Sequence, residues 1–317
     1  MFLQQIINGV TVGSVYALIA LGYTLVYGIM ELINFAHGEI YMIGAYLAII
    51  FLTNFTLHLP ALIIFLLIFL FSIFYTSTYG FTMERIAYRP IRSAPRLSAL
   101  ITALGMSIFL QNFVMVTQGA QDKVFPPNFV NSLNRQLNAV VKIFITEHNL
   151  TTEGIIIGNS QITFIQILIV LTSIFLMIFL SLFIGKTKTG KAMRATAQNR
   201  AIAMLLGINV DTIISITFII GSALGAAAGV MIAFYYGRVH YFIGYIAGIK
   251  AFTAAVLGGI GNITGAMLGG LMLGLVESMA AGYLSCEYKD AYAFIILVIV
   301  LIIRPQGILG ERVPEKY

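Results

Sequence analysis

Apolar stretches long enough to cross a bilayer recur along the whole chain, and that leaves few folds open to it. A crossing helix needs about 20 apolar residues. Ile6 to Met30, Leu59 to Phe81, Leu97 to Gln118, Ile162 to Ile184 and Thr212 to Tyr236 each meet that length. In lipid, backbone N–H and C=O groups must be satisfied internally, so such runs become helices. The chain is 59 % hydrophobic and 9 % charged, with a mean hydropathy of +0.95. A soluble domain carries about a quarter charged residues. The expectation is an all-α, polytopic membrane protein, one transmembrane domain over residues 1–317, with about eight membrane helices including broken or re-entrant segments.

The net charge of +6 is gathered into a few loops. That pattern fits the positive-inside rule better than nucleic-acid binding. Met83 to Arg96 sets Arg85, Arg89, Arg92 and Arg96 against one acid, Glu84, and is expected in the cytoplasm. Pro90 and Pro95 are expected to keep this stretch from being one continuous helix. One span later, Gly119 to Gln161 reads as a polar external loop around Pro126 and Pro127. Its Lys123, Arg135 and Lys142 are balanced by Asp122, Glu147 and Glu153.

The next span returns the chain to the cytoplasm at Gly185 to Asp211. Lys186, Lys188, Lys191, Arg194 and Arg200 are positive there, and no acid precedes Asp211. Met193, Ala197, Ala201, Met204 and Leu205 fall at helical spacing and predict one apolar stripe. An amphipathic helix in that place either lies on anionic headgroups or docks a cytoplasmic partner. Cys286 is the only cysteine, which excludes an internal disulfide and a cysteine-based metal site. The opening M-F-L-Q-Q lacks a basic n-region and reads as a first span, not a cleaved signal.

Two segments are interrupted. Glu31 to Glu39 precedes an apolar run, Ile40 to Thr53, of only about two-thirds of a span. Either the second helix is short, or it starts earlier and carries Asn34, His37 and Glu39 into the membrane. Ionisable groups at that depth mark pathways or structural pairings. A broken element with Gly38 near the break is expected. In the second segment, Ile249 to Tyr283, Gly258, Gly259, Gly261 and Asn262 predict two short helices. Both of its ends are expected outside, with Arg238 and His240 in the preceding outer stretch. It is therefore a hairpin of two crossings or a re-entrant pair. Ala291 to Ile303 then leads to a cytoplasmic tail.

Paired interruptions, at Leu32–Leu47 and Val256–Leu273, point to a transport site near the midplane. Asn34, His37, Glu39, Gly258, Gly259, Gly261 and Asn262 are its candidates. The glycine spacing, like the small-residue run Ser222 to Gly229, suits close helix packing more than ligand contact. His37-Gly38-Glu39 lacks the i, i+4 histidines of a zinc protease. It reads as a polar cap inside the bundle or as path lining. Lys250 and Glu277 both fall roughly 20 Å from the glycine tip at about 1.5 Å per residue, which predicts a structural ion pair within the hairpin. No G-x-x-x-x-G-K-[ST] pattern occurs, so if ATP drives this protein, another chain binds it.

Several segments resemble a known family. They are N-G-V-T-V-G-S-V-Y-A-L-I-A-L-G-Y-T-L-V-Y-G from Asn8, I-N-F-A-H-G-E from Ile33 and E-R-I-A-Y-R-P-I-R from Glu84. K-A-F-T-A-A-V-L-G-G-I-G from Lys250 and P-x-G-I-L-G from Pro305 complete the set. Together they look like the LivH-type permease of bacterial branched-chain amino acid ABC transporters, over nearly the whole chain except Gly119 to Gln161.

The resemblance implies a non-catalytic subunit in the inner (plasma) membrane that binds no cofactor, with ATP and Mg on a partner. It implies a second homologous permease, two ATP-binding subunits and a periplasmic binding protein delivering leucine, isoleucine or valine. Gly190 to Ile208 is similar to the coupling loop, which makes Lys191, Arg194, Ala195, Ala197, Gly207 and Ile208 the candidate ATPase contacts. It departs from the general E-A-A-x-x-x-G form, with Thr196-Ala197 at the expected Glu-Ala-Ala and Gly207 as the glycine. Urea and short amides are alternative substrates within the family. An ion-coupled carrier, with Glu39 or Glu277 essential, and an intramembrane enzyme are the alternatives outside it.

Overall fold

Helix α1 (Phe2–Met30) carries no charged side chain and runs through the centre of the molecule. Val15 to Leu21 are at most 6 % exposed. Glu31, with φ 54°, ends the helix in a left-handed turn, and its N–H returns to the Tyr27 carbonyl at 2.7 Å. The computed structural model describes residues 1–55, 59–92, 94–142, 151, 154–158, 160–304 and 306–310, without the side chains of Arg96 and Ile157. Glu147, Glu153, Pro305 and the Arg96 side chain, named above, lie outside that description.

Among the described residues six helices are long and apolar enough to cross a membrane: α1, α3 (Ala61–Met83, helical to Ile91), α4 (Arg96–Gln118), α6 (Phe164–Lys186), α9 (Val210–Tyr236) and α11 (Ile263–Tyr283). Helices α2 (His37–Asn54), α10 (Ile243–Gly258) and α12 (Lys289–Ile303) are shorter, at 18, 16 and 15 residues. Two small helices, α7 (Lys188–Gln198) and α8 (Arg200–Leu205), link α6 to α9.

α1 and α11 lie antiparallel along a seam of small residues. A Cβ at Gly9 would meet Leu275 Cα at 2.8 Å and one at Gly13 would meet Leu271 Cα at 2.9 Å, while Gly270 and Gly274 press on Ala17 and Gly13. Small residues let backbones approach in lipid, where no hydrophobic force drives helices together. The Ser222 to Gly229 run packs the same way, with Gly44 of α2 against Ala226 and Gly229 against the Tyr41 carbonyl. On the periphery α3, α4 and α6 turn Phe74, Ile108 and Phe175 outward, as lipid-facing spans do.

The structure changes three expectations. Helix α3 does not stop before the arginine-rich loop. It continues through a π turn (Glu84–Tyr88) and a 3₁₀ turn (Arg89–Ile91). Pro90 sits early in that last turn, where its missing N–H has no partner to lose, and Pro95 instead caps α4. The external loop holds α5 (Pro127–Val141) and strands β1 (Lys123–Val124), β2 (Gly154–Ile157) and β3 (Ser160–Thr163). Phe129, Leu133 and Leu137 repeat at i, i+4 there, and Leu133 is fully buried. β1 pairs antiparallel with β4 (Arg238–Val239), which fastens the loop to the bundle.

The third change concerns the interruptions. The first break occupies residues 31–36, and Gly38 lies inside α2. Gly38 is instead a crossing point: a Cβ there would meet Gly248 Cα at 2.8 Å and collide with the Gly244 carbonyl. The partner of this broken element is α10, not Val256–Leu273. Aligning Gly38 with Gly244 also matches Ile40 with Ile246, Ile43 with Ile249, Ala45 with Ala251 and Ala48 with Ala254. The two short helices begin against each other and run to opposite faces. Val256–Leu273 holds a hairpin turn, with Gly259 and Gly261 at φ 106° and 95°. α10 and α11 are its two arms.

Candidate translocation and coupling sites

Asn34 shapes the chain's entry into α2. Its Oδ1 accepts from the Ala36 N–H at 3.1 Å and from the Tyr88 hydroxyl at 2.6 Å. His37 follows in the first turn of α2 and fills the notch that Gly22 leaves in α1. Its ring meets Tyr23 edge-on at 4.9 Å. Glu39 is fully buried. Its Oε1 accepts from Ser107 of α4 at 3.0 Å. Glu39 Oε2 and His37 Nε2 have no hydrogen-bond partner among the described residues. Three polar side chains thus gather where two short helices start, a place where the helix dipoles are positive. Such ends suit an anionic or dipolar visitor.

The structure does not bring Gly258, Gly259, Gly261 and Asn262 to this cluster. They form the α10–α11 turn on the basic face, where a Cβ at Gly28, near the end of α1, would lie 3.8 Å from Gly261 Cα. Asn262 caps α11 by accepting from the Gly265 N–H at 3.0 Å and donates to the Leu309 carbonyl at 2.9 Å. The Ile308 and Leu309 N–H groups bond the Leu257 and Gly258 carbonyls at 2.9 and 3.0 Å. The tail thereby satisfies the C-terminal carbonyls of α10.

Lys250 and Glu277 meet: Nζ donates to Oε1 at 2.8 Å, and both residues are 3 % exposed. The sequence reading missed two further members. Lys250 also contacts Asp290 at 2.5 Å, and Lys289 lies 3.7 Å from Glu277. Four charges of alternating sign form one cluster. The only sequence cue was an acid and a base adjacent at the start of α12. Among the described residues no three His, Cys, Asp or Glu side chains gather as a metal site would need.

On the basic face the predicted helix is two. Asn199 ends α7 and caps α8, accepting from the Ile202 N–H at 3.1 Å. The break rotates the surfaces. Gly190, Met193, Thr196 and Ala203 face inward, whereas Ala197, Ala201, Met204 and Leu205 of the predicted stripe are exposed. Ile202, Leu205 and Leu206 are 54, 87 and 73 % exposed. Lys191 is exposed, and Ala195 and Ile208 are half-buried. Arg194 donates to the Gly185 carbonyl at 3.2 Å. Gly207, at φ 82°, turns the chain toward α9.

Arg200 anchors this unit by donating from Nε and Nη2 to the Ile29 carbonyl at the end of α1, at 3.0 and 2.6 Å. Burial lowers its pKa from the ordinary guanidinium value. Beside it a cavity of about 410 Å³ opens between Glu31, Arg92 and residues 196–201. Arg92, on its lining, belongs to a charge network the sequence reading also missed. Buried Glu84 pairs with Arg92 and accepts from Ser215 at 2.7 Å, and Arg89 reaches Asp211 at 2.6 Å.

The family described as branched-chain amino acid transport system / permease component matches residues 5–301. The chain belongs to that family. Similar permeases span nearly its whole length. The high-affinity branched-chain amino acid transport system permease protein LivH of Salmonella typhimurium is 46 % identical over 99 % of this chain and 97 % of its own. LivH of Escherichia coli K12 is 46 % identical with the same coverage. BraD of Pseudomonas aeruginosa, of the same description, is 47 % identical over 99 % of this chain and 98 % of its own. This branched-chain-type permease is therefore a multi-pass membrane protein.

Proposed function

We propose that this chain is a permease subunit of an ATP-driven importer for leucine, isoleucine and valine in the bacterial inner membrane. Identity of 46–47 % across almost the full length to permeases named for branched-chain amino acid transport carries the reading. In this reading the chain binds no ATP and no cofactor. It pairs with a second homologous permease, engages two cytoplasmic ATPases and receives substrate from a periplasmic binding protein.

Coupling runs through α7 and α8. Ile202, Leu205 and Leu206, left open to solvent on an otherwise basic surface, supply the apolar contact. Lys191, Arg194, Ala195, Ala197, Gly207 and Ile208 frame it. Because Arg200 ties this unit to the α1 carboxyl end, a push by closing ATPases passes directly into the central helix. Movement of α1 against α2 and α10 then opens the path beside Asn34, His37 and Glu39 alternately to the two faces. The glycine turn, Gly258 to Asn262, serves as the hinge of the α10–α11 arms.

The test is a mild-detergent pull-down of the tagged chain with mass spectrometry. A copurifying ATPase and second permease, with the ATPase lost on Leu205→Asp in a still-folded chain, support the importer. A solitary chain that takes up leucine without ATP rejects it and turns attention to Glu39 and Glu277 as coupling carboxylates.

A further inference from the structure

A cavity of about 850 Å³ opens on the face opposite the Met83–Arg96 segment, among α1, α2, α9, α10 and the start of α12, with Asp122, Arg238 and Glu287 also on its lining. Small-molecule sites run from about 300 to 1,000 Å³. One wall is apolar, made by Val12, Ile232, Ile243 and Ile246. Tyr16 and Tyr41 line it deeper in. Lys250 and Asp290 stand on its lining, joined at 2.5 Å. The Tyr16 ring lies 5.7 Å from Lys250 Nζ.

We propose that this cavity seats a zwitterionic amino acid, whose carboxylate takes the place of Asp290 on Lys250 and whose ammonium is held by the released Asp290. The inference rests on the importer reading and names the place in this chain where its substrate first binds. Three observations carry it. Lys250 is a buried cation whose side chain is 3 % exposed, and one of its two carboxylate partners is replaceable. Glu277 is buried with it, whereas the Asp290 side chain is 50 % exposed and sits in the first turn of α12. Asp290 is half in water, so it leaves Lys250 at lower cost than Glu277, whose charge would be stranded in the interior.

The cluster also balances: Lys250 and Lys289 against Glu277 and Asp290 is two charges of each sign. A lone anion on Lys250 would release Asp290 with no cation to pair it, and a lone cation would draw Asp290 from Lys250 with no anion to replace it. A zwitterion leaves every charge paired. The apolar wall beside the exchange point then takes a branched side chain.

Cys286, the sole cysteine, is exposed and lines the same cavity, so it reports on occupancy. The experiment measures the rate at which a membrane-impermeant methanethiosulfonate labels Cys286 in the reconstituted complex, without binding protein. L-Leucine is expected to slow labelling several-fold. Leucinamide, which lacks the carboxylate, and 4-methylpentanoate, which lacks the ammonium, are expected to leave it unchanged. Asp290→Asn should abolish the leucine effect, with the labelling rate in leucine equal to that variant's own rate without it. Equal protection by either analogue, or protection that survives Asp290→Asn, overturns the site. So does the absence of protection in vesicles that still import leucine when ATP and binding protein are added. Vesicles that import no leucine at all strike the importer reading and the site with it.

Discussion

At the residue scale, the charged groups in the interior are held by partners from other segments, Glu39 by Ser107, Glu84 by Ser215 and Lys250 by Glu277. Lys250 and Glu277 show the energetic consequence. Removing one member of a buried pair costs about 3–5 kcal/mol, because the other is left charged and unpaired. Lys250→Met should therefore lower the yield of monodisperse protein on size-exclusion chromatography, and Glu277→Gln in the same chain should restore part of it. Restoration stays partial because Asp290 and Lys289 lose their contacts too. Strictly additive losses would refute the coupling. Gly38→Val should also lower that yield, since a side chain there collides with the Gly244 carbonyl, whereas Val at exposed Gly105, which has open space around it, should not. The pairing of Lys250 with Glu277 was legible because both charges lie in apolar helices at matched distance from one turn. Glu84 with Ser215, and Asn34 with Tyr88, were not legible, because each joins segments whose approach is decided by the fold.

Elements follow a similar division. Spans α1, α3, α4, α6 and α9 could be read from length and hydropathy alone, whereas α11 was read only as one arm of a hairpin that either crosses or re-enters. Helix α5 escaped because its apolar residues are diluted by asparagines and glutamines, although their spacing is helical. In Gly185 to Asp211 the helical period was visible, but Asn199 resets it and turns a different face inward. A period read across a cap assigns the second helix to the wrong face. The solvent-facing leucines give this correction a measurable consequence. Leu206→Asp should leave thermal unfolding of the isolated chain within about 0.5 kcal/mol of wild type, as surface changes do. It should at the same time weaken copurification of the ATPase, read by quantitative mass spectrometry. Met193→Asp, which buries a charge at a 3 % exposed position, should instead destabilise the chain itself.

For the whole molecule, the arrangement turns on two half-length helices that start against each other, one reached from each face. The sequence showed that two interruptions exist but suggested the wrong second one, because glycines that make a surface turn look like glycines that break a span. The match of Gly38 with Gly244 was present in the residues. It was hidden because only a few positions of the two helices coincide, and because the glycine-rich turn was the louder signal.

The docked tail gives the molecule an order of assembly. Asn262 bonds a residue 47 positions later, and the Leu257 and Gly258 carbonyls wait for Ile308 and Leu309. Synthesis proceeds at about 5–20 residues per second, so the turn between α10 and α11 stays unsatisfied for several seconds after it is made. Deleting residues 306–317 should make that permanent, seen as faster protease cleavage near Gly261 with the remaining helices intact. The α10–α11 turn is thus completed only once residues 308 and 309 have been made, and a chain cut short before them would keep an open, cleavable turn that marks it as unfinished.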